Sequence, residues 1–313
     1  MKSRARILKK VLCVLVLVYY FQRSVSAEPE KISTPNKVGY IRPDIPEIVL
    51  PEYRGDRYED LIPDTLDLAQ RAELALNGLI GPTNPDWDYE LYWRVDFFRN
   101  PPVMYHDFND WCQLKFMEAL PLMRVITGSD WMTEVDQVWK DVVLKSIGPD
   151  GLYYIPMNKR PWSRLGIYTS HDMMTSVWMK DGKRLPINDM TFEQVSNYYL
   201  CGRGINIIMV YYLLDHNPAW KEIMEKMISR LNEILIDKGD YAYFPSGLYE
   251  PNARVDRNSP MPLGGNETGG RMALGLAQLY QHTKYQPAGE MARKLVNYIR
   301  YHTRYFDSQG RFV

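Results

Sequence analysis

Carboxylates, arginines and aromatic rings crowd into residues 92–111, YWRVDFFRNPPVMYHDFNDW. Seven aromatics share these twenty residues with Arg94, Arg99, His106 and the aspartates Asp96, Asp107 and Asp110, around a Pro-Pro break. Residue types of this kind can do acid–base work on a glycosidic bond. One protonated carboxyl assists the leaving group, while an ionised one activates water or attacks carbon. Flat rings supply stacking surface for the apolar faces of pyranoses. Asp96 follows Arg94 by two positions in an otherwise apolar run. An arginine partner lowers the proton affinity of a carboxylate, which suits a base, although the same pair would serve to pin the segment. His106 and Asp107 can exchange protons near neutral pH or hold sugar hydroxyls. Alternatively, Asp107 and Asp110 cap the helix that follows. Trp111 is a stacking platform or a core residue.

Two further segments have the same character. Glu267 stands between Gly264-Gly265 and Gly269-Gly270, where glycines permit close approach of backbone or ligand. A helix beginning there would hold Glu267 ionised, or would simply favour it in the first turn. Arg271, one turn on, is placed to grip a carboxylate bidentately or to pair with Glu267. Trp162, Arg164, Tyr168, His171 and Asp172 repeat the aromatic-plus-polar mixture. If the three segments meet at one rim they form a cleft. The catalytic candidates are then Asp96, Glu267, His106 and Asp107. The candidates for binding substrate are Arg94, Arg99, Trp111, Trp162, His171, Asp172 and Arg271. No CxxC or His-rich spacing provides a metal site, and no Walker or dinucleotide fingerprint provides a cofactor site, so none is expected.

Helices must position these segments. Leu68, Ala72, Ala75, Leu76 and Leu79 fall at helical spacing after Asp64, and Gly81-Pro82 ends the run. The pattern predicts further helices over 109–127, where Pro121 would kink the last turns, and over 130–147. Thr191 and Gln194 fit a capping box for a helix over 191–214. Asn217-Pro218 opens the next, Asn266 caps another and Pro287 starts the last. Residues 92–111, 157–188 and 241–263 are left as long loops, and functional residues concentrate in such loops. The segment after 147 and the one after 305 both carry Asp and Gly before an aromatic, which points to a recurring helical hairpin ended by a sheet-like turn. Seven helices joined alternately by tight turns and long loops make an all-α array of α/α hairpins.

The ends of the chain differ in kind from its middle. Residues 1–27 hold six of the 38 Lys+Arg and none of the 38 Asp+Glu. A basic start, an apolar run over 11–21 and Val25-Ser26-Ala27 form a secretory signal peptide. Its apolar run is too short to span a bilayer, so no membrane span is expected after cleavage. The mature protein would be secreted or periplasmic. It keeps 32 basic against 38 acidic residues, a balance that gives no reason to bind nucleic acid. Residues 28–61, with Pro29, Pro35, Pro43, Pro46 and Pro51, form an extended arm, and residues 62–313 form the helical domain. The last extended piece begins as Val313 arrives, which points to a domain incomplete at its C-terminus. Cys112 and Cys201 either pair or stay buried as thiols.

The phrases Pro63-Asp-Thr-Leu-Asp-Leu-Ala, Arg94-Val-Asp-Phe-Phe-Arg-Asn-Pro-Pro, Gly148-Pro-Asp-Gly-Leu-Tyr-Tyr-Ile-Pro and Gly264-Gly-Asn-Glu-Thr-Gly-Gly-Arg complete the picture. With them the chain resembles the six-hairpin glycosidases, which include the unsaturated uronyl hydrolases. The resemblance implies a partial (α/α)6-type toroid with short β segments at the hairpin ends, about half of the family's ring being absent. It also implies a secreted glycoside hydrolase with a carbohydrate partner, acting on a poly- or oligosaccharide that can contain uronate. Two alternatives stand beside it. One is a polysaccharide lyase in which Tyr105 or His106 would take the proton α to a uronate while Arg99 neutralises its carboxylate, and the other is a non-catalytic glycan-binding protein.

Overall fold

Apolar residues at helical spacing lay down the first helix, α1 (Leu68–Ile80), which buries Ala69, Ala72, Leu76 and Ile80 along one stripe. The computed structural model describes residues 39–42, 44–50, 68–98, 100–106, 111–156, 176–186, 192–262 and 269–313, with the backbone alone at 93–96, 103–106, 111 and 269. Six further α-helices follow among these residues: α2 (Trp111–Thr127), α3 (Glu134–Ser146), α4 (Tyr198–Asp215), α5 (Pro218–Ile234), α6 (Gly269–Thr283) and α7 (Gln286–His302). α4 is apolar nearly all round and is buried from Tyr198 through Met209, as a central helix must be. α5 and α7 bury a single stripe each, α5 packing on α4 and α7 on α6. Asn217 caps α5 by accepting from the amide of Ala219 at 3.0 Å, with Pro218 in the first turn. Trp139, Trp220, Tyr153 and Tyr211 are fully buried in the core these helices share. A large side chain buried in this way contributes about 1.5–3 kcal/mol.

The expectation of an all-α toroid is overturned. Ten short strands form three sheets among the described residues, so the architecture is mixed α/β. β1 (Thr83–Asn84), β2 (Glu90–Asp96) and β3 (Val103–His106) make one antiparallel sheet. β4 (Tyr154–Pro156), β5 (Ser176–Trp178), β6 (Arg184–Pro186), β7 (Gln194–Ser196) and β10 (Leu248–Tyr249) form a five-stranded sheet in the order β4-β7-β10-β5-β6. β8 (Ile236–Asp237) and β9 (Ala242–Tyr243) pair antiparallel. In the larger sheet β10 runs parallel to β5 and antiparallel to β7, a mixed pairing of segments far apart in the chain. Two of the three expected loops therefore contain strands of this sheet, and the first, 92–111, is largely a β-hairpin. The capping box also gives way. Gln194 opens strand β7, and the helix starts instead at Asn197, whose side chain accepts from the amide of Leu200 at 2.8 Å.

The repeated turn is present. Gly148 donates to Leu152 O and Gly151 to Gly148 O, closing the bridge Ile147↔Tyr153. At the second site Asp307 donates to Arg311 O and Gly310 to Asp307 O, closing Phe306↔Phe312. Gly151 and Gly310 occupy the same place with φ of 95° and 77°, a conformation glycine adopts without strain. Four times among the described residues a helix runs into such an antiparallel turn: α1 into Thr83↔Leu91, α3 into Ile147↔Tyr153, α5 into Ile236↔Tyr243 and α7 into Phe306↔Phe312. All described residues belong to one unit, 38–313. The arm from Gly39 onward is bound into it. Arg42 donates its amide to Lys145 O, and the buried Lys140 donates to Ile48 O at 2.5 Å.

Lys294 on α7 bonds Asp237 of β8 at 2.6 Å and Glu290 at 3.1 Å. The Lys294 hydrogen bond holds the Asp237 carboxyl below its ordinary range. A carboxyl depressed on folding contributes stability above its unfolded pKa, about 4, and loses it as pH falls through the lower folded value. Asp237 is half exposed, so the contribution is discounted to about 0.5 kcal/mol. Unfolding free energies of the wild type and Asp237→Asn from urea titration should differ by this amount at pH 6 and converge as the pH falls below 4. A gap that persists in acid would contradict the assignment.

Candidate functional site

Two glycines fix how the central helices meet. A Cβ on Gly202 of α4 would lie 2.9 Å from Met272 Cβ of α6, and one on Gly275 of α6 would run into Ile205 and Asn206 of α4. Partner positions advance together, from 202 to 206 and from 272 to 275, so α4 and α6 run parallel in close contact. Two-residue turns, 216–217 and 284–285, then reverse the chain into α5 and α7. The starts of α4 and α6 and the ends of α5 and α7 therefore share one end of the helical group. The β8–β9 turn and the Phe306↔Phe312 bridge follow at that end, and β7 leads into α4 through Asn197.

The expected site residues distribute as follows. Glu267, Asp107, Arg99, Trp162, His171 and Asp172 lie outside the described residues, as do Asp110, Asp64 and Asn266. Glu267 precedes the first residue of α6 by two positions. Asp96 pairs with Val103 beside the turn of the β2–β3 hairpin, Arg94 pairs with Tyr105, and His106 pairs with Tyr92 at the other end. At about 3.3 Å per residue, the backbone of His106 lies about 10 Å along the strand from the position opposite Asp96. The hairpin thus spaces Asp96 and His106 apart rather than setting them side by side. Its base is bolted down: Leu91 donates to Gln113 Oε1 at 2.6 Å, and Tyr89 O accepts from Gln113 and from Trp139. Trp111 is the first residue of α2, and Arg271 is exposed in the first turn of α6.

A polar cluster that the sequence analysis did not single out lies between α2 and α4. Arg203 Nη1 bonds Glu118 Oε2 at 2.9 Å, and Arg203 Nε donates to the Tyr199 hydroxyl at 3.2 Å. The guanidinium also lies over the Tyr199 ring, 5.5 Å from its centroid. Arg203 is 4% exposed, and Glu118 keeps 22% of its side chain open. Three residues on, buried Asn206 faces α6, and neither of its amide atoms is hydrogen-bonded among the described residues. The signal was available: Arg203 and Asn206 are polar residues in the apolar run YYLCGRGINIIMV, and such residues require partners once buried.

The thiols and phenols near the sheet limit the chemistry. Cys112 and Cys201 are both buried and are not bonded to each other. Burial pushes the Cys201 thiol up to about 12, and its sulfur lies 3.4 Å from the Ser196 hydroxyl. Cys201 is therefore not a nucleophile at neutral pH. Native protein at pH 8 should leave Cys201 unmodified by iodoacetamide, and unfolding should expose it. Alkylation of Cys201 in the native state, found by peptide mass mapping, would contradict this. Burial also raises the phenols of Tyr154 and Tyr249, which act as neutral donors to Asp150 and Pro245 O. Among the described residues no group of three His, Cys, Asp or Glu could hold a metal ion, and no helix is long and apolar enough to cross a membrane. Compared with known proteins, the chain matches no family model and no curated protein.

Proposed function

We propose that the protein is an exported glycoside hydrolase that cleaves a poly- or oligosaccharide by carboxylate acid–base catalysis. The observation that supports this most is the parallel register of α4 on α6. It sets the starts of α4 and α6 at one end of the helices, with β7 leading into α4 there, where functional side chains can gather. The reading rests on that convergence and on the residue types, not on a closed ring of helical hairpins.

Asp96 serves as the base, beside Arg94, and Glu267 is the second carboxyl. His106, at the other end of the hairpin, and Asp107 after it hold sugar hydroxyls. In the step itself the acid gives its proton to the glycosidic oxygen as the bond to the anomeric carbon breaks. The base takes a proton from the water that attacks that carbon, and the free sugar and the shortened chain leave. Arg94, Arg99 and Arg271 provide cations for a uronate carboxylate, while Trp111 and Trp162 provide stacking surface. The test is turnover of acidic and neutral plant and algal oligosaccharides, with products separated by mass. A new reducing end with an added water supports the reading. An unsaturated, ultraviolet-absorbing product would make the protein a lyase, and binding without turnover on any substrate would make it a glycan-binding protein.

A further inference from the structure

A polar cleft of about 330 Å³ is lined by residues other than those assigned above. Its floor comes from the turn after α3 and its walls from α5 and the segment after β10. Asp150 lies at the back, with 5% of its side chain exposed. Its Oδ2 accepts from the Tyr154 hydroxyl at 2.7 Å and the Asn252 amide at 3.1 Å, and its Oδ1 accepts from the Leu152 amide at 3.3 Å. Arg230 stands over it, Nε 3.5 Å from Oδ2. The same guanidinium donates to Glu233 Oε2 at 2.6 Å and to Ala253 O at 2.5 Å. Glu233 Oε2 and Ala253 O thus hold the two Nη groups of Arg230, its buried Nε makes no hydrogen bond among the described residues, and both carboxylates lining the cleft already have partners.

Two cations remain. Lys226 and Arg254 are exposed at the mouth, and neither forms an ion pair among the described residues. Three positive groups therefore face two committed carboxylates, and the surplus charge sits on side chains able to move onto a ligand. Ser229 adds a hydroxyl to the same wall. The volume is at the small end of ligand sites, which suits one monosaccharide unit rather than a strand. A rigid polar floor with mobile cations at the mouth matches an oxyanion on a hydroxylated ring.

We infer that this cleft is an auxiliary, non-catalytic binding site for a saccharide unit bearing a carboxylate or sulfate group. The saccharide part of this inference rests on the proposed hydrolase function. The oxyanion part does not.

Isothermal titration of the full chain with trigalacturonate, maltotriose and inorganic sulfate tests it, with the double variant Lys226→Ala/Arg254→Ala alongside. Trigalacturonate should bind the wild type and lose at least about tenfold in affinity in the double variant, since two charge-assisted contacts are removed. Maltotriose should bind no differently to the two proteins. Both substituted residues are exposed, so melting should be unchanged. If the double variant melts lower, Lys226→Gln and Arg254→Gln singly carry the same test. Equal trigalacturonate affinity in wild type and variant overturns the inference. So does sulfate binding that the variant abolishes while trigalacturonate is excluded, because the cleft would then take a free anion. A protein that cleaves no saccharide can still satisfy this test, and an active hydrolase can still fail it.

Discussion

Asp136→Ala should cost about 3–5 kcal/mol of folding stability, because it strands a buried guanidinium. Arg124 and Asp136 are 2% and 8% exposed and join α2 to α3. Arg124 Nε meets both carboxylate oxygens at 3.2 and 3.0 Å, and Nη2 reaches Oδ2 at 2.7 Å. Its remaining donors close the connecting turn onto Ser129 O, Trp131 O and Met132 O. Every N–H of the fork is used, so the turn's shape and the ion pair stand together. Urea unfolding at neutral pH measures the loss. Replacing both partners, as Arg124→Met with Asp136→Leu, should recover much of it, since no uncompensated charge is left. A single-variant loss under about 1 kcal/mol would mean that water reaches the pair.

Asp96→Asn and Glu267→Gln should each lower kcat by about 10²- to 10⁴-fold, the usual range for removing a positioned acid or base. KM and the melting temperature should move little, because each change keeps shape and removes only charge. Each variant should also flatten one limb of the pH profile of kcat/KM. Loss of activity together with a lower melting temperature would instead assign the residue to holding the hairpin or the start of α6. If both variants kept wild-type kcat, the catalytic carboxylates would have to be sought elsewhere at this end of the helices. Glu118, partly open and bonded to Arg203, is the first described carboxylate to substitute next.

Local signals were legible wherever the cause was local. Asn217-Pro218 starts a helix because the Asn side chain and the Pro ring act within a single turn, and the α5 boundary follows from those two residues alone. The two Asp–Gly turns were equally visible, since a glycine at positive φ is a requirement of one position. The five-stranded sheet was not visible. Its strands are two or three residues long, too short to show alternation, and Val177 finds its partner at Leu248 only through the tertiary fold. Thr191 and Gln194 satisfied a capping pattern by coincidence, while Asn197 was the true cap. At the site, residue types marked the segments but could not give their pairing. The register setting Asp96 opposite Val103 depends on where the hairpin turns. Arg203 and Glu118 went unnoticed because the eighty-odd residues between them hide a contact made only across two helices.

The small antiparallel turns that end α1, α3 and α5 also have a use for protein engineering. Each one closes on its own backbone hydrogen bonds before the chain sets out over 92–110, 154–197 or 244–268. A fastened stem of that kind fixes where each outbound stretch leaves its helix. On the proposed function, substrate preference could be exchanged by grafting outbound stretches between stem and following helix, provided that core residues such as Tyr154, Val177, Val195 and Tyr249 are kept.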